Sequence, residues 1–433
     1  MKRYYPYVAG LTAAVFCLVL STQSVAAEPV DLSLNQCVTL ALENNPAMKI
    51  AEANKDKAAW GIQQAKAGKG LNLGYTHTDL RSSAPPSWWP YLSPYSAYNY
   101  FSNELRLTVP IDASGNLENA VSQAKLNSNI SDLNVQLTKQ QLKLKVTDAY
   151  FDVLQARNLL KVAKQTVNDF TVHLQNVQDQ YDVGTVALPD VLQTKVRLAN
   201  AQDGLTQAQN NYDLAVYNLN NIIGLPLHSE IKLQEDLAYQ PSPLTLDDCI
   251  RYALQYRPEM EQTQDSIHMA ADQVEIAQSG RKPSFSLVGA TEWQDNDFPA
   301  VKNRNWTVSL VAQLNVLDSG LTQSQVKKAE ADVVAAREQA RQTRDGITLE
   351  VSQAYLSMQE AAKRIDTDKV AVEQGEVDLK LAEERYQNGI GTNLDVIDAE
   401  LALEQARNNY IKALYDYNTD KALLEKTMGI TVK

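Results

Sequence analysis

Two hydrophobic periods divide the chain. In the first, apolar and polar residues alternate. Leu71, Leu73 and Tyr75 are separated by Asn72 and Gly74; further on, Phe101, Leu105, Leu107 and Val109 alternate with Ser102, Glu104, Arg106 and Thr108. The pattern returns in Phe285, Leu287 and Trp293, and again in Trp306, Val308, Leu310, Ala312 and Leu314. Period two predicts strands with one apolar face. At about ten residues each they have the length of tilted membrane-barrel strands, and a half-buried soluble hairpin would carry the same pattern. The second period is helical. Leu126, Ile130, Leu133, Leu137, Leu144, Phe151 and Leu154 keep a three-and-four spacing, and no proline interrupts 111–188 or 300–433. A helix from Gly115 to Val183 would run about 100 Å at 1.5 Å per residue. No compact domain of this size holds such a rod, so its long axis serves the function or an assembly.

The same text occurs twice. Leu32-Ser33-Leu34, Cys37, Ala41-Leu42 and Pro46 return as Leu244-Thr245-Leu246, Cys249, Ala253-Leu254 and Pro258, each 212 residues later. Beyond the first strands the offset is 205, pairing Ser114-Gly115 with Ser319-Gly320, Tyr181 with Tyr386, Gly184 with Gly389, and Asp190 with Asp395. The expected division is therefore a leader at 1–27, a first repeat at 28–240 and a second at 241–433. Each repeat is predicted as helix, strand, loop, strand, long helix, break, long helix. The change in offset places seven extra residues between Leu73 and Val109. They fit best in the Pro- and aromatic-rich stretch from Ser82 to Tyr100, which reads as a long loop.

The ends and the charge narrow the class. Lys2 and Arg3, an apolar run from Val8 to Leu20, and Val25-Ala26-Ala27 read as an export signal cleaved after Ala27. The chain has 40 Lys+Arg and 52 Asp+Glu, a net charge of −12 that becomes −14 without Lys2 and Arg3. Such acidity argues against nucleic acid, whose phosphates need basic partners. Of the three cysteines Cys17 leaves with the signal, and Cys37 and Cys249 either fill small buried sites or pair. His77, His173, His228 and His268 are scattered without metal-ligand spacing, and no nucleophile, zinc or phosphate-loop motif is present. No enzyme activity and no cofactor are expected. Asp247-Asp248 is a carboxylate pair at a helix start, where capping accounts for it.

Four strands cannot close a membrane barrel, because the smallest use eight, and an open sheet would leave unpaired edges in lipid. Several protomers must share one barrel if the strands are membrane strands. Three copies give twelve.

The opening motif, Pro110-Ile111-Asp112-x-Ser-Gly, and the two segments 181–191 and 386–396, occurring in this order twice, resemble the TolC-like outer-membrane efflux proteins over essentially the whole mature chain. The resemblance implies a mainly α fold with membrane β. Four strands per protomer would complete a twelve-stranded trimeric outer-membrane barrel, continued by a long α-helical coiled-coil tunnel through the periplasm. It implies a homotrimer held in outer-membrane lipid, a periplasmic adaptor (membrane fusion) protein and an inner-membrane transporter as partners, and service as the exit duct of a tripartite efflux or type I secretion system. It also implies a gate at the periplasmic entrance formed by Asp395, Asp398, Asp190 and Tyr386, and adaptor contacts at Gly184, Thr185, Val186, Gly389, Ile390 and Gly391. Where the family carries a basic residue that locks the entrance, this chain has Gly391. Two plainer readings stand beside these. Asp190 and Asp395 would serve as helix caps, and Asp398 would lie on a solvated helix face. The alternative for the whole chain is an exported trimeric coiled-coil tether or stalk without channel activity.

Overall fold

The computed structural model describes residues 30–82 and 98–430. The proposed leader and most of the Pro-rich loop after Ser82 lie outside the described residues.

Each of the two leading helices of the sequence reading is in fact two. α1 (Leu34–Asn44) and α2 (Pro46–Ala67) meet at Asn45; α5 (Leu246–Tyr256) and α6 (Pro258–Ser279) meet at Arg257. Proline has no N–H to donate and pushes the residue before it to extended backbone, so the chain breaks there and restarts. Asn45 caps the restart, its Oδ1 accepting from the Ala47 N–H at 2.9 Å while its Nδ2 donates to the Ile222 carbonyl at 3.0 Å. A second feature escaped the periodicity altogether. β1 (Val30–Leu32) and β4 (Ile231–Leu233) form a three-residue parallel pair, too short to show an alternation.

The long helices have the predicted dimensions. α3 (Asn116–Asp182) and α7 (Leu321–Gln387) have 67 residues each, and α4 (Leu188–Ile223) and α8 (Asn393–Thr427) return along them with 36 and 35. At 1.5 Å per residue, α3 and α7 are each about 100 Å long. α3 packs on α4 and on α8, and α8 on α7, so α4 and α7 form the two flanks of a four-helix wall. Apolar side chains are left exposed on both flanks, among them Leu192 and Val196 on α4 and Leu349, Leu356 and Val377 on α7.

At the other end stands one antiparallel sheet, β2 (Asn72–Ser82), β3 (Tyr98–Ile111), β5 (Ser284–Asp295) and β6 (Arg304–Gln313), ordered β2-β3-β5-β6. The register pairs Leu73 with Leu107, Leu107 with Gly289, and Gly289 with Val308. Leu73, Tyr75, Leu105, Leu107, Leu287, Trp306, Val308 and Leu310 therefore share one face, since directly paired residues point the same way. The other face carries Thr76, Glu104, Arg106, Glu292 and Thr307. The apolar face is open, with Tyr75 63% and Trp306 75% exposed. An apolar surface of this extent marks a contact with lipid or protein. β2 and β6 are the outer strands, and each has one unpaired edge. Among the described residues no helix is long and apolar enough to cross a membrane.

The main core lies partway down the wall, where α1 and α5 pack against the long helices. Tyr150, Leu154, Leu219, Ile223, Val351, Tyr417 and Leu424 are sealed there. Cys37 and Cys249 are both free and fully buried in it, and burial is the larger cause that pushes the Cys37 thiol up to about 12, ahead of the charge of Glu235. The Tyr150 hydroxyl donates to Glu235, fastening the segment after β4 to α3. Where the first half uses Asn45, the second buries a charge. The Arg257 guanidinium is 6% exposed, pairs with Glu259, lies 2.6 Å from Glu350, and Lys426 reaches the same Glu350 at 2.9 Å. Breaking a buried pair leaves its partner uncompensated. Arg257→Ala is accordingly expected to lower stability by about 3 kcal/mol, read as a fall in the denaturation midpoint of the detergent-solubilised protein.

Candidate functional site at the helical tip

The far ends of the long helices carry the residues that the sequence singled out. α3 stops at Val183, and Gly184 turns the chain at φ 81°. α7 stops at Asn388, and Gly389 does the same at φ 72°. The left-handed region admits glycine without penalty and ends a helix by closing its last carbonyls. Thr185 completes the first turn, its N–H and hydroxyl both donating to the Gln180 carbonyl at 2.9 and 2.8 Å. In the second turn the N–H groups of Ile390 and Gly391 both donate to the Arg385 carbonyl at 3.0 Å. Gly184, Thr185, Gly389 and Ile390 are exposed; Val186 and Gly391 are half-buried.

The two returning helices start differently. Thr392 caps α8 in a reciprocal box: the Asp395 N–H donates to Thr392 Oγ1 at 3.2 Å, and the Thr392 N–H donates to Asp395 Oδ2 at 2.8 Å. These bonds, and then the positive charge of Arg385, hold the Asp395 carboxyl below the usual carboxylate range. It therefore stays ionised down to acidic pH. α4 starts at Ala187, which has no side chain to cap with, and the Asp190 carboxylate makes no cap bond. Capping accounts for Asp395 and fails for Asp190. The physical reason is that a box needs a hydroxyl or carboxylate three residues before the acid, and Ala187 stands where Thr392 does.

Asp395 and Asp398 face the same way, as their spacing requires. Both are exposed, and with Asp378 and Arg385 they line a cleft of about 420 Å³ between α7 and α8. Gly391 does not open onto this cleft through a side chain. A Cβ there would stand 3.0 Å from the Tyr386 nitrogen and 3.1 Å from the Arg385 carbonyl carbon, so the backbone of the preceding turn occupies the space. Arg385, six residues earlier, supplies a positive charge on the same hairpin.

Behind the exposed acids is a small sealed core. Tyr386 packs with Val177, Val191 and Val396, and its ring meets His173 edge-on with centroids 5.4 Å apart. Its hydroxyl is buried without a hydrogen-bond partner. Burial, and then the charge of Asp190, push the phenol up; the structure thus brings Asp190 close to Tyr386 without a bond between them. Beside them lies a buried polar knot. His173 Nε2 is 2.8 Å from Asn393 Oδ1, the Thr194 hydroxyl donates to the same oxygen at 3.1 Å, and Asn393 Nδ2 donates to the Asp190 carbonyl at 3.3 Å. As Oδ1 can only accept, His173 must donate from Nε2. Burial pushes the imidazole down, against the Asn393 bond, which keeps it neutral.

This knot ties the α3/α4 hairpin to the α7/α8 hairpin, and it was missed from sequence. Its one legible trace is an asymmetry between the tips: Asn393 stands where the first tip has Leu188. Asn393→Ala strands the buried His173 Nε2–H, while the Thr194 hydroxyl keeps the Asp190 carbonyl at 2.9 Å; the change is expected to cost about 2 kcal/mol, seen as faster amide exchange in the first turn of α8. Gly391→Ala forces a methyl against backbone and is expected to cost about 1–3 kcal/mol, seen as a lower midpoint for local unfolding of the same turn.

The sequence profile of the family described as "Outer membrane efflux protein" matches residues 37–225 and 249–430. Outer membrane protein TolC of Escherichia coli (strain K12) is 24% identical over 99% of this chain and 87% of its own length. The alkaline protease secretion protein AprF of Pseudomonas aeruginosa is 25% identical over 99% and 89%. Among solved structures, the outer membrane protein VceC from Vibrio cholerae superposes with a TM-score of 0.80 at 21% identity, over 92% of this chain and 96% of that one. The outer-membrane channel OprN gives 0.81 at 18%, over 92% and 89%.

Proposed function

The chain belongs to the outer membrane efflux protein family, and from that membership we propose how its geometry works as an outer-membrane exit duct. Three copies join, β6 of one pairing with β2 of the next, so that twelve strands close a barrel. The observation that carries this reading is the sheet itself: an open apolar face of bilayer height with an unpaired edge on each side. In lipid both edges must be paired, and a ring of identical sheets pairs all of them at once. The same ring lays the exposed leucines and valines of the α7 flank against those of the next α4 flank, continuing the barrel as a helical tunnel in the periplasm.

The tunnel ends at the tips, and these form its entrance. Threefold symmetry gathers three Asp395 and three Asp398 around one opening. Such a ring favours cations, resists anions and binds multivalent cations. Asp190 and Tyr386 stand at the seam between the hairpins, where movement of α7/α8 away from α3/α4 would widen the opening. The turns at Gly184, Thr185, Val186, Gly389, Ile390 and Gly391 face outward, where a periplasmic adaptor docks to join the duct to an inner-membrane transporter. The names of the relatives span several cargoes, with AprF named for protease secretion and the related CusC named for cation efflux. A wide polar tunnel leaves that choice to the transporter.

Single-channel recording in planar bilayers, with the mass of the detergent-solubilised assembly, tests this. The expected result is a trimer with small, cation-selective openings blocked by divalent cations. Replacing both Asp395 and Asp398 by Ala should raise conductance and abolish the block. A soluble species that never inserts would return the chain to the tether reading.

A further inference from the structure

One buried acid at the tip has no part in the site described above. Glu400 lies on α8, five residues beyond Asp395, and is 3% exposed. Its Oε2 is buried with no hydrogen-bond partner. The groups around it offer little compensation. Asp169 faces it from α3, Glu383 from α7 and Glu404 from α8. Arg407 is the cation that acts on it, but the Arg407 guanidinium is committed to Glu376 at 3.0 Å. Asp169 is held on its own helix by Gln165 at 2.8 Å. A carboxylate sealed among three other acids is a costly charge, whereas a protonated carboxyl in the same place is a modest polar group.

We propose that Glu400 is a proton-operated element of the tip: protonated, it lets α8 pack into the angle between α3 and α7; ionised, it drives α8 out of that angle. This rests on the exit-duct reading for its meaning, since outward movement of α8 is what widens the entrance, but the packing effect stands without it. Burial is the larger cause, followed by the charge of Asp169; Glu404 and Glu383 add to them, Arg407 opposes, and together they push the carboxyl up to about 7 from its ordinary 4.5. The sign follows from linkage. A group whose carboxyl is raised in the packed state favours that state fully below pH 4.5, and the preference is lost as pH rises from 4.5 to about 7. Each unit is a factor of ten, so the packed-to-loosened ratio should fall on the order of a hundredfold per protomer. His173, one turn along α3 from Asp169, is held neutral by burial and would respond only to stronger acid, in the opposite direction.

Amide exchange along α8, measured on the intact assembly in detergent between pH 4.5 and 8, tests the idea without needing conduction. The comparison is between the native chain and Glu400→Gln at each pH, which cancels the intrinsic pH dependence of exchange. Protection over residues 393–404 should fall on the order of a hundredfold in the native chain relative to Glu400→Gln as pH rises through the window. Asp169→Asn, at a half-exposed position, removes a negative charge that faces Glu400, so the midpoint should move to lower pH and the total loss of protection should be smaller than in the native chain. Equal protection of the native chain and Glu400→Gln at every pH would overturn the proposal, as would an unchanged profile in Asp169→Asn should Glu400→Gln fail to fold. In bilayers the open fraction should rise with pH in the native chain and stay low in Glu400→Gln. Channels with the native pH response in both would sink the proposal and leave the duct reading intact. Absence of any conduction would count against the duct, while the exchange result would still decide Glu400.

Discussion

Backbone hydrogen bonds at the edge of a sheet govern this molecule. Each protomer builds four well-paired strands and then stops, leaving β2 and β6 with one open edge apiece. In water that would be an aggregation hazard; in hydrocarbon each unpaired group costs several kcal/mol. The apolar outer face commits the sheet to lipid, and lipid in turn commits it to closure by other copies. On the trimer reading, closure also fixes the order of helices below. Since β3 leads into α3 and β6 into α7, pairing β6 with the next β2 brings α7 alongside the next α4. The exposed apolar residues on those two flanks are the counterpart of the open strand edges.

The wall is anchored at its middle and fine-tuned at its end. The main core clamps the long helices with α1, α5 and the short β1–β4 pair, and the buried Arg257 cluster joins α6, α7 and α8. From there to the tip the helices bury single side chains between them, such as Leu160, Phe170 and Leu403, until Val177, Val191, Tyr386 and Val396 make a second, much smaller core. A small core can be shifted by a few kcal/mol. The polar groups set into and beside it are the His173–Asn393–Thr194 knot and the poorly compensated Glu400, and on the exit-duct reading they lie where such a shift would act on the opening.

The acids at the tip divide by environment rather than by sequence. Asp395 is stabilised in its ionised form by its cap and by Arg385, and stays a surface charge across the working range. Glu400, five residues on, faces inward to other acids and is pushed the opposite way. Tyr386, buried with its hydroxyl unsatisfied, belongs to the packing of the tip as much as to its chemistry. A hairpin can therefore present permanent charge outward and a titratable group inward within two turns of one helix.

Sequence by itself determined the strand lengths and faces, the long helices, and the glycine turns at 184 and 389, while it left Cys37 and Cys249 open between burial and pairing. These depend on local periods and on the φ preference of glycine, which are written residue by residue. It also carried the family, through motifs whose order recurs. Only the tertiary structure decided what the tip acids face. Which groups surround Glu400, and which acceptor meets His173, depend on helices some two hundred residues apart in the chain meeting at one level; the room at Gly391 is set locally by the backbone of Arg385 and Tyr386. Asp190 failed as a cap because Ala187 precedes it, a fact legible in the sequence once the cap is sought. The His173–Asn393 bond left only the exchange of Leu188 for Asn393 as a trace, and the nearness of Asp169 to Glu400 left none, because a helical period places a residue on a face without saying which polar group will stand opposite.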